Sequence, residues 1–161
     1  GIGYNIMLEG RDILIGTAAL PDERLALNVP VGSLTDDQCL ALVAAGLVGQ
    51  QVLDIRLDKV FCDRVWQRLQ PWVAAGLPIE RAADGDTLEV SGLRRDRMTV
   101  PNQIDCRGDS VLAMLSVAWL TSTQHAAFIN GAGEYRQRFP GLAAIWHRLG
   151  VPLAVLAEVV S

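Results

Sequence analysis

Two carboxylates and an arginine stand directly ahead of the most apolar segment of the chain. This segment reads DCRGDSVLAMLSVAWL, and Arg107 lies in it between Asp105 and Asp109. Free backbone N–H groups and the macrodipole favour an anion at a helix start, and a guanidinium can hold a carboxylate or phosphate in a bidentate fork. Arg107 is therefore predicted to bind a small anion. The alternative is structural: Arg107 pairs with Asp105 or Asp109 to fix the loop, while Asp109 or Ser110 caps the helix.

Other residues are candidates for the same chemistry. Arg136 and Arg138 open a later helical segment, although residues two apart on a helix face different sides. Their alternative is a solvated first turn together with Glu134. Ser33 and Thr35 can offer hydroxyl groups to a phosphate at an earlier helix start, and their alternative is an N-cap. The predicted anion-binding set is thus Arg107, Arg138, Arg136, Ser33 and Thr35.

The sequence gives little indication of a metal site or of a catalytic nucleophile. Cys39, Cys62 and Cys106 are widely spaced and form no CxxC pair, which fits reduced thiols packed as small hydrophobic groups. His125 and His147 lie far from any paired cysteines, so neither a zinc site nor a catalytic histidine is predicted. We expect no metal and no cofactor.

The composition limits the class of protein. The chain has 161 residues, half of them hydrophobic and a fifth charged, which fits one domain with a real core. Its net charge of −4 argues against a nucleic-acid partner. No apolar run approaches the ~18–20 residues that a bilayer span needs, and no basic, apolar leader is visible. We expect a cytoplasmic protein with no membrane partner.

The elements that must position these residues form a repeated pattern. Residues 1–28 indicate N-terminal strands with a hairpin turn at Glu9–Arg11. Residues 29–92 predict a first unit with strands and helices in the order β-α-β-α-β-β. Within its second helix, Pro71 should kink the helix or end it early.

A second unit, predicted over residues 97–161, repeats that order but lacks the last strand. It comprises a strand MTVPN, a buried helix at 109–120, a strand HAAFIN, a helix interrupted near Phe139–Pro140, and a closing strand VPLAVLAEVV. The segments AAGLPIERA and RLGVPLAVLA occupy corresponding places in the two units, which indicates an internal repeat. The N-terminal hairpin could supply the missing strand.

Three stretches resemble motifs of the enolpyruvyl transferase family. VPVGSLT is similar to a Pro-Gly-Ser-Lys-Ser turn, and DCRGDSVLAMLSVAWL is similar to an Asp-His-Arg segment followed by an Ala- and Met-rich helix. GEYRQRFPGLAAIWHRLG is similar to a Tyr/Ser-Lys-Ser/Thr-Phe-Pro segment leading into a helix. Together the three stretches lie within residues 29–153.

The resemblance implies an α/β fold of repeated β-α-β-α-β-β units, with buried helices and outer sheets, like one domain of an enolpyruvyl transferase. It implies carboxyvinyl (enolpyruvyl) transfer to a small anionic substrate. The family has two domains of three units with the active site between them, so these 161 residues are expected to be at most half of such an enzyme. A homodimer or a second half-length chain would then complete the cleft.

Departures from the family pattern qualify this expectation. Leu34 and Gln137 stand where the family has lysines, and Cys39 lies near the place of an arginine, whereas Arg107 is kept. A leucine cannot hold an anion by charge. We therefore expect an enolpyruvyl transferase-like domain that is incomplete or catalytically impaired alone. The alternative is a non-catalytic ligand- or partner-binding module that kept the scaffold.

Overall fold

The protein has a mixed α/β fold, as the sequence predicts. A computed structural model describes residues 3–9, 12–18, 24–49, 52–92, 101–132 and 135–151. The strands in this part are β1 Gly3–Glu9, β2 Asp12–Ala18, β3 Leu25–Asn28, β4 Val52–Arg56, β5 Ile79–Arg81, β6 Thr87–Ser91, β7 Gln103–Asp105 and β8 Phe128–Asn130. The helices are α1 Asp36–Val48, α2 Lys59–Ala74, α3 Ser110–Thr123, α4 Tyr135–Arg138 and α5 Leu142–Arg148.

The first two strands form the predicted hairpin. β1 and β2 pair antiparallel from Gly3 opposite Ala18 to Glu9 opposite Asp12. The two residues at the tip of the predicted turn lie outside the described part of the chain. Among the described strands, β1 and β2 pair only with each other.

The elements from β3 to β6 follow the order β-α-β-α-β-β, and β3 ends at Asn28, one residue before the first unit predicted over 29–92. Its sheet has the strand order β3-β4-β6-β5, in which β3 and β4 are parallel and joined through α1. β6 then runs antiparallel to both β4 and β5. A parallel crossover followed by an antiparallel hairpin thus builds one four-stranded sheet.

This sheet has one buried face and one charged face. Leu53, Ile55, Leu88 and Val90 alternate along β4 and β6 and are buried in the core. Asp54 and Glu89 alternate with these residues along the strands and lie on the opposite face, where both pair with Arg24. Alternation of this kind is typical of a sheet that covers a core on one side and faces water on the other.

The second unit starts with the same crossover. β7 and β8 are parallel and joined through α3, with Ile104 paired opposite Ile129. Of the strand predicted over 98–102, residues 98–100 lie outside the described part, and Pro101 and Asn102 are not in a strand. The described strand, β7, runs from Gln103 to Asp105. Buried Ile104 and the pairing with β8 set this position. The predicted closing strand lies almost entirely outside the described residues.

Pro71 does not end α2 early, so that part of the expectation for this proline is wrong. The helix continues to Ala74, and both Pro71 and Trp72 are buried. The Trp72 indole N–H donates to the Ser116 hydroxyl on α3 at 2.7 Å, and Ser116 in turn donates to the Leu112 carbonyl at 2.8 Å. Tertiary packing of this turn outweighs the loss of one helical hydrogen bond at the proline.

α3 is the buried helix that the sequence predicts, and it packs against α1 of the first unit. The predicted interruption is also present: α4 ends at Arg138, and α5 begins after Phe139, Pro140 and Gly141. Within the described ranges, no helix combines the length and hydropathy needed to cross a membrane.

Candidate functional site

The start of α3 is occupied by a carboxylate of the chain itself. Asp109 is the N-cap residue, and its Oδ1 accepts hydrogen bonds from the backbone N–H groups of Val111 and Leu112, each at 3.0 Å. The Arg68 guanidinium donates to both carboxylate oxygens, at 2.7 and 3.1 Å. The capping role predicted for Asp109 or Ser110 therefore belongs to Asp109, and these two helix-end amides already have an anionic partner.

The electrostatics of Asp109 agree with this geometry. Burial by itself would raise the pKa of this carboxyl group, because desolvation disfavours the charged form. The hydrogen bonds from Arg68 and from the Leu112 backbone outweigh burial, so the pKa lies below its ordinary value. Asp109 is thus held as a carboxylate.

Arg68 also pairs with a second aspartate, and this links it to further ion pairs. Its Nη1 lies 2.8 Å from Asp37 in the first turn of α1, and Arg138 of α4 reaches the other oxygen of Asp37 at 2.9 Å. We call Asp37, Arg68, Asp109 and Arg138 the Asp–Arg cluster. It joins α1 and α2 of the first unit to α3 and α4 of the second.

Arg107 lies outside this cluster, in a tight loop between β7 and α3. Its backbone is left-handed at φ 51°, and its N–H donates to Asp105 Oδ1 at 3.0 Å. The neighbouring Gly108 N–H donates to the Gly131 carbonyl at 2.6 Å. Two backbone N–H groups therefore fix the loop, one bonded to the Asp105 carboxylate and one to the Gly131 carbonyl. The Arg107 guanidinium forms no ion pair with any described residue.

The Arg107 side chain is exposed and borders a shallow hollow of about 210 Å³. The other walls come from the end of α2 and from β7, namely Pro71, Ala74, Ala75, Gln103 and Asp105. The pairing of Arg107 with Asp105 or Asp109 that the structural alternative predicts is not observed, because Asp109 pairs with Arg68 and Asp105 accepts the Arg107 backbone N–H. This guanidinium can thus meet a small anion from solvent.

Close packing against Gly131 fixes the position of the Arg107 loop. A Cβ atom at residue 131, where φ is +58°, would lie 2.7 Å from Asp105 Oδ1 and 2.8 Å from the Arg107 nitrogen. Only glycine tolerates this approach and this backbone conformation together. The turn at Gly131 therefore supports the loop that carries Arg107.

The remaining predicted residues lie elsewhere. Thr35 is the N-cap of α1 and forms a capping box with Gln38, while the Ser33 hydroxyl donates to the Pro30 carbonyl at 2.7 Å. The hydroxyls of both residues thus have intramolecular partners. Arg138 pairs with Asp37, as above. Arg136 lies in α4, and its side chain is outside the described part.

Arg68 is the residue that the sequence interpretation missed. It falls on the apolar stripe of α2, three residues after Val65 and four before Trp72, and 26% of its side chain is exposed. An arginine within an apolar helical stripe is the available signal, because a partly buried charge needs a partner. The identity of that partner depends on the tertiary fold.

The three cysteines are core residues. Burial raises the pKa of Cys39 to about 12 and that of Cys106 to about 11, and it also raises the pKa of Cys62. Such thiols are poor nucleophiles at neutral pH. In the described ranges, no three His, Cys, Asp or Glu side chains come together as a metal site.

Comparison with known proteins returned no match: no family model, no curated protein and no solved structure resembles this chain significantly.

Proposed function

We propose that this chain is an enolpyruvyl transferase-like domain that retains the scaffold and one small-anion site, but not the charges needed for efficient carboxyvinyl transfer. The observation that carries the proposal is the repeated crossover. β3-α1-β4 and β7-α3-β8 are both parallel, and their helices pack against each other. The first crossover continues through α2, β5 and β6 to complete one β-α-β-α-β-β unit.

Arg107 supports the small-anion part of the proposal. Its guanidinium is exposed beside a hollow, and the loop is held by hydrogen bonds of the Arg107 and Gly108 backbone N–H groups, not by an ion pair of the guanidinium. A carboxylate or phosphate group can therefore bind without breaking an existing salt bridge. The hollow is small and open, which suits one carboxylate or phosphate group of a ligand whose remainder stays in solvent.

The positions that depart from the family pattern support the impaired chemistry. Cys39 has no exposed surface, and Leu34 packs partly buried against the core. Neither side chain can present a charge to a ligand. At the start of α3, a ligand anion would meet the Asp109 carboxylate, which already holds two backbone N–H groups.

The Asp–Arg cluster favours a second candidate, a non-catalytic ligand- or partner-binding module. In this cluster each arginine is already paired with an aspartate, so the charges stabilise the fold instead of a substrate. The partner would be a second copy of the chain or another chain of similar size. Light scattering of the purified chain, alone and in cell extract, tests for assembly, and a monomer in both argues against such a partner.

Turnover and binding together test the proposal. The chain is incubated with phosphoenolpyruvate and shikimate 3-phosphate, and phosphate release is followed beside calorimetric titration of each ligand. We expect saturable binding of at least one ligand with no release above buffer. Rapid phosphate release would contradict the impairment, whereas neither release nor binding would favour the non-catalytic module.

A further inference from the structure

A second concave site lies between the helices, away from Arg107. α1, α3 and α4 border a groove of about 270 Å³, and most of its wall is apolar: Ala41, Val111, Met114, Leu115 and Phe139. Grooves between helices with apolar walls and few polar groups are typical small-molecule sites. Met114 is unbranched and polarisable, so this wall can adapt to a ligand.

The polar groups of the groove lie at its rim. Arg138 and Gln38 line it together with Asp37. The Gln38 side-chain carbonyl accepts the Thr35 backbone N–H at 2.8 Å, which leaves its NH2 group as a donor. The rim thus offers a guanidinium and an amide N–H, beside one carboxylate.

Arg138 is the cation of the cluster that can change partners. Its side chain is 52% exposed and pairs with Asp37 only, among the described residues, whereas Arg68 also holds Asp109. Exposed ion pairs of this kind stabilise little, so exchanging one costs little. If Arg138 turns to a ligand carboxylate, Asp37 keeps Arg68, and every charged group still has a partner.

A cationic ligand fits less well. It would have to bind Asp37, which already has two guanidinium partners at 2.8 and 2.9 Å. Displacing Arg138 would leave that guanidinium with no carboxylate partner among the described residues. Charge pairing at the rim therefore favours an anion.

We propose that this groove binds a small amphiphilic carboxylate. The carboxylate pairs with Arg138 and accepts from the Gln38 amide, while an apolar tail lies among Ala41, Met114 and Phe139. This site is separate from Arg107 and does not depend on the enolpyruvyl transferase proposal.

Phenylacetate is a suitable probe, with 2-phenylethylamine and inorganic phosphate as matched cationic and non-apolar controls. Each is titrated into the wild type, Arg138→Gln, Ala41→Leu and Arg148→Gln, with melting temperature recorded to confirm folding. Ala41 is exposed and helical, so a leucine there fills the groove without disturbing the helix. Arg148→Gln removes one exposed charge outside the groove.

We expect saturable binding of phenylacetate to the wild type and to Arg148→Gln. Arg138→Gln should weaken it about tenfold or more, as the loss of a hydrogen bond to a charged group requires. Ala41→Leu should weaken it comparably by filling the space of the tail. The phosphate binding expected at Arg107 should be the same in Arg138→Gln as in the wild type. The proposal is overturned if phenylacetate does not bind, if phenylethylamine binds as tightly, if Arg138→Gln weakens phosphate as much as phenylacetate, or if either groove variant leaves the affinity for phenylacetate unchanged.

Discussion

The guanidinium of Arg68 holds both carboxylate oxygens of Asp109, at 2.7 and 3.1 Å. Arg68 lies on α2 of the first unit, and Asp109 caps α3 of the second. Since the same carboxylate also accepts from Val111 and Leu112, one residue both caps the buried helix and joins the two units. The Asp109 carboxylate thus has a structural role, whereas the Arg107 guanidinium forms no ion pair with any described residue.

Removing the Asp109 carboxylate should destabilise the fold. Asp109→Ala is expected to lower the free energy of unfolding by about 2 kcal/mol, because it removes an N-cap and one partner of Arg68. Asp109→Asn keeps an acceptor for the helix-end amides and should lose about half as much. Urea denaturation measures both values. Equal losses in the two variants would contradict a separate capping contribution.

The stability that Asp109 contributes should depend on pH. Its pKa is lowered in the folded protein, while a free carboxyl group of this type titrates near ~3.9. A lowered folded pKa stabilises the fold above the unfolded pKa, and the contribution is lost as pH falls through the folded pKa. The difference in unfolding free energy between wild type and Asp109→Asn should therefore be constant from about pH 7 to 5 and shrink below about pH 4. A constant difference down to the lowest pH at which both fold would argue against the shift.

The buried hydrogen bond from Trp72 to Ser116 should couple the two side chains. Ser116→Ala leaves the indole N–H buried without its acceptor and should cost about 1–3 kcal/mol. A double-mutant cycle with Trp72→Phe measures the coupling, which we expect to reach about 1 kcal/mol, because the double variant leaves no unpaired donor. Strictly additive losses would show that this bond contributes nothing specific.

Gly131 should be needed for the Arg107 loop. Gly131→Ala adds a Cβ that meets Asp105 and the Arg107 backbone at less than 3 Å. Gly141→Ala is the matched control, because Gly141 also has a positive φ, of 81°, but nothing lies within 4 Å of an added Cβ. We expect Gly131→Ala to lose at least about 1 kcal/mol more than the control, since both variants bear the left-handed backbone cost but only one bears the clash. Equal melting temperatures for the two variants would refute the steric account.

Much of the fold follows from local signals in the sequence. Thr35 and Asp109 are capping residues at the helix starts, Gly49 ends α1, and Pro140 lies in the break between α4 and α5. Alternating apolar residues likewise indicate β4 and β6. These signals act over a few residues, so a single sequence is sufficient to identify them.

The sequence-based predictions that were wrong or missing concern features that long-range packing determines. Pro71 remains within α2 because the turn that contains it is buried, and β7 takes its position from pairing with β8. Arg68 and Asp109 are 41 residues apart in the chain, so neither local pattern nor periodicity identifies them as partners. The sequence also leaves open whether Asp109 or a ligand meets the α3 amides, and in the structure the Val111 and Leu112 amides donate to Asp109.

The central claim is that Arg107 binds a small anion, and ligand titration with Arg107→Ala tests it most directly. Phosphate, phosphoenolpyruvate and shikimate 3-phosphate are titrated into wild type, Arg107→Ala and the control Arg148→Ala, at low and high salt, following heat and melting temperature. We predict saturable binding that falls with salt, stays unchanged in the control and is weakened by about 1.5–3 kcal/mol in Arg107→Ala. If no ligand binds the wild type and Arg107→Ala only lowers the melting temperature, Arg107 only stabilises its loop and the claim is wrong.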